Sequence, residues 1–331
     1  MNVAIVGCGL IGRKRACALG EHKLLLAVDR DLKRAESVAA LKNGARVSND
    51  FNDAIADPRI DIVIVSTTND WLAPMTILAT KAGKHVLVEK PGARNLREIE
   101  GVLRVARKSR TLIKVGFNLR YHPSLQKAME IVNSGKIGEL MFIRGRYGHG
   151  GRVGYDREWR ADPKISGGGE LIDQGVHLID LSRWFLGDFA TVGGFSHTYF
   201  WNMPVDDNSF LILRTRKQQA AWLHASCTEW KNLFSLEIYG RTGKIEIDGL
   251  GGSYGVERLS YHQMLPQMGV PETTSWRYPD GDESWSAEFK AFTEAIDSHG
   301  SLDGDIYDAY AALRIVDRIY RHPRRFSGVS C

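Results

Sequence analysis

Cysteine is scarce in this chain. There are four in 331 residues, Cys8, Cys17, Cys227 and Cys331. None forms a Cys-x-x-Cys pair or stands in a His-rich metal spacing, so neither a disulfide framework nor a structural metal is expected. That usage fits a reduced, cytoplasmic protein. Long apolar runs are missing too. None approaches the ~18–20 residues that span a bilayer, and the N-terminus opens directly into a strand pattern, so neither a membrane segment nor a signal peptide is expected. Internal repeats and low-complexity segments are absent. Charge of one sign is not concentrated anywhere. The net charge is +5, with Lys and Arg scattered. No basic stripe or reader motif argues for nucleic acid, and a mild basic excess leaves room for an anionic ligand.

What is present is an ordinary globular composition, 43% apolar and 25% charged, on a chain long enough for two domains. Residues 1–120 alternate short apolar runs with helical patterns. The strand candidates are Val3–Val6, Leu24–Val28, Ile62–Val65, His85–Val88 and Thr111–Val115. Helices are expected over Leu10–Leu19, Leu32–Leu41, Trp71–Ala82 (with Pro74 in its first turn) and Asn95–Lys108. Doubly apolar strands separated by helices mean a doubly wound parallel sheet, whose ligands bind beyond the carboxyl ends of the strands. Residues 121–331 read differently. Helices are expected over His122–Asn133 and Gly168–Trp184, a strand over Leu140–Tyr147, mostly strands from Thr191 to His262, and helices near Ser284–Ser298 and Ile306–Tyr320. This is the pattern of an α+β domain with a large, open, mainly antiparallel sheet. One face of that sheet would carry helices, and the other would meet a second subunit, giving a homodimer or homotetramer.

Gly7-Cys8-Gly9-Leu10-Ile11-Gly12 is a full G-x-G-x-x-G between a strand and a helix, the context in which the motif means dinucleotide binding. Glycines let the backbone approach a pyrophosphate, and the helix N-terminus offers free N–H groups. Asp29 ends the second strand, where a carboxylate accepts hydrogen bonds from the adenosine ribose and repels a 2′-phosphate. This favours NAD. Arg30 and Arg34 stand nearby and leave NADP open. Ser66-Thr67-Thr68-Asn69 ends the third strand and is expected beside the nicotinamide ribose. Glu89-Lys90-Pro91 ends the fourth, and Lys90 there is suited to polarise a substrate hydroxyl or ketone oxygen. In Gly167-Gly168-Gly169-Glu170-Leu171-Ile172-Asp173-Gln174-Gly175-Val176-His177, Asp173 and His177 are four apart and share a helix face. A histidine is a suitable proton acceptor for alcohol oxidation.

Taken together, these motifs resemble the Gfo/Idh/MocA oxidoreductases. The resemblance covers nearly the whole chain and includes Gly116-Phe117-Asn118-Leu119-Arg120-Tyr121-His122-Pro123. It implies a Rossmann domain followed by a catalytic domain that oligomerises through its sheet. The implied activity is reversible hydride transfer between a nicotinamide and a secondary alcohol of a sugar, cyclitol or nucleotide-linked sugar. Lys90, Asp173 and His177 match the family's catalytic lysine, aspartate and histidine. Trp71 departs from the pattern, since many members carry histidine there. Substrate contacts are expected from Asn118, Arg120, Tyr147, Trp159 and Arg160. The same residues run backwards would make a keto-sugar reductase. A non-catalytic NAD-binding sugar sensor would be expected to lack Lys90 or His177, and this chain keeps both.

Overall fold

In a computed structural model, residues 1–42, 44–267 and 269–322 are described; Cys331 lies outside them. The chain divides into two compact units. The first holds Met1–Tyr121, Lys164–Gly167 and Glu283–Tyr310, and the second the remainder. The domain expected over 121–331 therefore loses Glu283–Tyr310 to the first unit. The reason is packing: Phe289 and Phe292 from this stretch are buried in the core of the parallel sheet, with Ile5, Leu19 and Ile64.

In the first unit the sequence alternates strand and helix: β1 (Asn2–Val6), α1 (Leu10–Cys17), β2 (Lys23–Val28), α2 (Leu32–Ala39), β3 (Arg46–Ser48), α3 (Asn52–Ala56), β4 (Ile62–Val65), α4 (Asn69–Lys81), β5 (His85–Val88), α5 (Leu96–Ala106) and β6 (Ile113–Val115). The six strands are parallel in the order β3-β2-β1-β4-β5-β6. The order reverses beside β1, so the crevice for a dinucleotide opens at its carboxyl end. The strands are apolar because both faces are covered; β4, Ile-Val-Ile-Val, is buried throughout. Side chains start two of the helices, as Asp31 accepts from the Lys33 N–H and Asn95 from the Glu98 N–H, both at 3.1 Å. Pro74 is not in the first turn of its helix. The helix begins at Asn69, which puts the proline inside it.

The second unit is built on α6 (Pro123–Asn133), β7 (Leu140–Gly148), the short α7 (Pro163–Ser166, which straddles the division), α8 (Val176–Leu186), β8 (Phe189–His197), β9 (Asn208–Thr215), β10 (Ala220–Ser226), β11 (Leu233–Gly240), β12 (Gly243–Asp248), β13 (Glu257–Gln263) and β14 (Glu272–Tyr278). The eight strands run in the order β14-β13-β12-β11-β7-β10-β9-β8. They are antiparallel except for the β7–β10 pair. Alternate residues are buried along β9 and β11, and on the sheet α8 packs against β7 and β10 while α6 packs against β12, β13 and β14. The chain ends with α9 (Ser284–Ser298) and α10 (Ile306–Arg321). The helix expected over Gly168–Trp184 is two pieces, a π turn over Leu171–Gly175 followed by α8. The N–H groups of Gly169 and Leu171, which open this segment, are taken by the Asp206 carboxylate at 3.0 and 2.9 Å.

Candidate functional site

The glycine loop shows why each of its glycines is there. Gly7 has φ +91°, and a Cβ on it would lie 2.5 Å from the Ser66 carbonyl oxygen. A Cβ on Gly12 would overlap the carbonyl oxygen of Gly7, so only glycine lets α1 approach β1. Gly9 is different. A Cβ on it would meet nothing within 4 Å, so protein packing does not demand its bareness. Gly9 is also the N-cap of α1 and makes no side-chain cap. An uncapped helix N-terminus beside open space suits the pyrophosphate of a dinucleotide, so the residues present fit that group. Leu10 and Ile11 follow in the first turn, with Leu10 exposed.

Beside the loop lies a pocket of about 450 Å³ lined by Cys8, Gly9, Leu10, Arg13, Lys33, Arg34 and Ser37. Asp29 borders the loop. Its Oδ2 accepts the Cys8 N–H at 2.7 Å and its Oδ1 the Asp31 N–H at 2.9 Å, so it fixes the loop it was expected to serve only as a ribose ligand. Arg30 lies over the Trp71 ring, 4.8 Å from its centre. The 66–69 segment is also occupied with its own fold. Ser66 Oγ donates to the Gly7 carbonyl at 2.7 Å, Thr67 Oγ1 to the Thr68 carbonyl at 3.2 Å, and Thr68 Oγ1 to Asp70 at 2.6 Å. The Asn69 amide donates to the Ser166 carbonyl at 2.8 Å.

Glu89, expected beside the cofactor, also has a role within the fold. Its Oε1 accepts Arg15 Nε at 2.6 Å, and Arg15 Nη1 reaches Glu288 of α9 at 2.7 Å. Arg15 and Glu288 are fully buried. Burial pushes the Glu89 carboxyl up, and the Arg15 guanidinium opposes that shift. A Cβ on Gly116 would lie 2.7 Å from Arg15 Nη2, so the glycine makes room for this cluster. Arg15 and Glu288 were missed from sequence. The available signal was an arginine inside the first helix of a parallel-sheet domain, where a buried cation must find carboxylates. Lys90, next in the chain, is half-buried ahead of a turn in which the Gly92 N–H donates to the Glu89 carbonyl at 2.9 Å.

Two of the expected substrate contacts have partners within the first unit. Asn118 is buried and donates to Ser284 Oγ at 2.9 Å. Arg120, 2% exposed, pairs with Asp303 and with Asp308 at 3.1 Å. Both bind the returning 283–310 stretch, a role that their reading as substrate contacts does not include.

In the second unit the expected residues do converge. Asp173 lies in the π turn, a distortion frequent at functional sites. Its Oδ2 accepts Arg160 Nε at 3.1 Å. The Arg160 guanidinium lies 4.4 Å from the Trp159 ring centre. His177, on α8, is 4% exposed. The edge of Tyr147 meets its ring at 5.8 Å and 73°. Tyr147 also contacts Phe234 and Tyr254, and burial raises its hydroxyl well above the usual range, so it stays a neutral donor. Nearby, the Tyr155 hydroxyl donates to Glu170 Oε1 at 2.8 Å. Tyr254 and Glu170 were not singled out from sequence, because their partners are distant along the chain and no spacing reveals them. Among the described residues no group of three or more His, Cys, Asp or Glu could hold a metal.

The order of the parallel sheet, its glycine loop and the uncapped α1 define a dinucleotide-binding Rossmann domain joined to an open-sheet domain. Comparison with known proteins agrees. The model of the GFO/IDH/MocA oxidoreductase family with an NAD-binding Rossmann fold matches residues 1–117, and that of the GFO/IDH/MocA C-terminal domain matches residues 125–246. The chain belongs to this family of NAD-binding oxidoreductases. It is 28% identical to levoglucosan dehydrogenase of Pseudarthrobacter phenanthrenivorans over 99% of this chain and 97% of that protein. It is 31% identical to inositol 2-dehydrogenase 2 of Saccharopolyspora erythraea over 65% of this chain and 63% of that protein. In fold it is similar to a solved levoglucosan dehydrogenase complex with NADH, with a TM-score of 0.88 at 22% identity over 97% of this chain and 96% of that one. Among the described residues no helix is long and apolar enough to cross a membrane.

Proposed function

We propose that this protein is an NAD-dependent dehydrogenase that oxidises a secondary hydroxyl of a neutral sugar or cyclitol. The observation that carries the redox half is Gly9, bare without packing cause at an uncapped helix N-terminus. NAD is favoured over NADP because Asp29 fixes a carboxylate against the glycine loop, where a 2′-phosphate would be repelled. Levoglucosan and inositol, in the relatives' names, are both hydroxyl-rich ring compounds. Neutrality follows from the arginines. Arg120 and Arg160, the cations that would suit a phosphorylated or nucleotide-linked sugar, are each paired with carboxylates.

The nicotinamide, when bound, supplies the hydride acceptor. Gly7, Gly9, Leu10, Ile11 and Gly12 hold its pyrophosphate and Asp29 its adenosine ribose. His177 takes the proton of the reacting hydroxyl. Lys90 donates to the same oxygen and stabilises the charge that grows on it. Asp173 orients the hydroxyl and keeps the site's charge balanced as His177 gains its proton. Tyr147, an apolar body with a neutral hydroxyl, packs against His177 and holds its ring in place. The protein works in the cytoplasm as a homodimer or homotetramer. Its buried thiols, Cys8 and Cys227, are unpaired, as in a reducing compartment.

The test is NADH formation by the purified protein with NAD across free sugars, cyclitols, sugar phosphates and nucleotide sugars. A selective signal with neutral polyols is expected. A signal only with phosphorylated or nucleotide-linked sugars would overturn the neutral assignment. Silence throughout, with NADH binding intact, would overturn oxidation in favour of keto-sugar reduction or non-catalytic binding.

A further inference from the structure

We infer that Arg160 is a positioning residue that acts through Asp173, and not a substrate-binding arginine. The inference rests on the reading of Asp173 as part of the reacting machinery.

The Arg160 side chain is immobilised from several directions. Its Nε, the inner nitrogen of the guanidinium, is 3.1 Å from Asp173 Oδ2. The guanidinium carbon lies over the Trp159 ring, 4.4 Å from its centre, and Nη1 lies 3.9 Å from Glu158, which Arg152 also holds at 2.7 Å. Burial opposes its charge, but Asp173, Tyr155 and Glu158 outweigh burial and raise its pKa above the usual value. An arginine reserved for a substrate anion would not already donate to the Asp173 carboxylate.

The segment that carries Arg160 is also anchored. It consists of two short 3₁₀ turns, Tyr155–Arg157 and Trp159–Ala161. The Tyr155 hydroxyl is bonded to Glu170, the residue just before the π turn. Two contacts, Tyr155–Glu170 and Arg160–Asp173, therefore tie this segment to the turn that bears Asp173. A π turn has a widened hydrogen-bond ring and is less well determined by its own backbone than an α-helix. A planar cation bonded through Nε and resting over an indole ring fixes a carboxylate in direction as well as in charge. A lysine, a hydrated point charge on a flexible stem, does neither.

The two roles differ kinetically. A substrate-binding arginine contributes to KM, whereas one that orients a reacting carboxylate contributes to kcat. The experiment compares Arg160→Gln, Arg160→Lys, Asp173→Asn and the double variant Arg160→Gln/Asp173→Asn, each with saturating NAD and the best polyol of the panel. Folding is checked by thermal melting. Arg160→Gln is expected to lower kcat about 10–100-fold while KM moves less than about 3-fold, with Lys recovering only a small part. In the Asp173→Asn background the same change is expected to cost less than about 2-fold, because the partner it orients is gone. If Arg160→Gln does not fold, Arg160→Lys with and without Asp173→Asn gives the same comparison. A large rise in KM with kcat preserved, or losses that multiply in the double variant, would overturn the inference. An Asp173→Asn enzyme with full kcat would instead overturn the reading of Asp173 on which it rests.

Discussion

In the proposed mechanism Lys90 and His177 carry the proton and charge chemistry, and they differ in how far the fold constrains them. His177 is 4% exposed and packed edge-on by Tyr147. A buried imidazole in contact with an aromatic edge keeps one ring orientation, which a general base requires. Lys90 is half-buried, and its neighbour Glu89 is held by Arg15 and, through it, by Glu288. Replacing Lys90 by Met keeps the stem and removes the ammonium. Replacing His177 by Ala removes the base. Each change is expected to lower kcat/KM by at least ~100-fold, the usual scale for an acid–base group. Thermal melting separates this from misfolding, because His177→Ala also opens a small void beside Tyr147. Wild-type turnover in either folded variant would remove that residue from the mechanism.

The glycine loop makes the clearest case at the scale of an element, because its glycines serve different ends. A Cβ on Gly12 would run into the Gly7 carbonyl, whereas one on Gly9 would enter open space. Gly12→Ala should therefore push α1 off β1 and lower the melting temperature by several degrees, the scale of a ~1–3 kcal/mol overpacking. Gly9→Ala should melt within about 2 °C of wild type yet bind NAD at least ~10-fold more weakly, as the methyl blocks the backbone's approach to a pyrophosphate. Equal effects of the two substitutions on stability would contradict this division. Elements of this kind were legible in the sequence because their signals are local. The strands β1, β2, β4 and β5 read as apolar runs, and the loop as spaced glycines. The exposed β3, of only three residues, and the five-residue α3 carry too little periodicity to be read. The π turn reads as ordinary helix in the sequence, because a spacing of four between Asp173 and His177 carries no sign of the wider turn. Long-range partners were the least legible. Nothing near Glu89 announces Arg15, and nothing near Arg120 announces Asp303 and Asp308, because such pairings are made only when the chain folds back.

For the whole molecule, the open question is what covers the free face of the eight-stranded sheet. One face lies under α8 and α6. On the other, a lateral row runs across four paired strands as Glu237, Arg144, Trp222 and Ile212. Trp222 is 55% and Ile212 62% exposed. A second row stacks Phe195 on Phe210 and Phe210 on His224, at 5.1 and 4.3 Å between ring centres. Contiguous apolar and aromatic surface of this kind is costly to leave in water, and monomers seldom carry it. The row also contains opposite charges, Arg144 and Glu237, at 2.7 Å. A sheet face bearing both apolar anchors and opposite charges is suited to a two-fold contact, in which the same patch is used on both copies. We therefore expect the purified protein to run as a dimer or tetramer by light scattering at micromolar concentration. Trp222→Glu with Ile212→Lys would place two new charges at the centre of that face, each costly to bury unpaired. The double variant is expected to lower the measured mass by at least half while the melting transition of the subunit persists. A wild-type protein of about 37 kDa in solution, or a variant whose mass does not change, would show that this face is not the contact, and the exposed Trp222–Ile212 row would then need a different occupant.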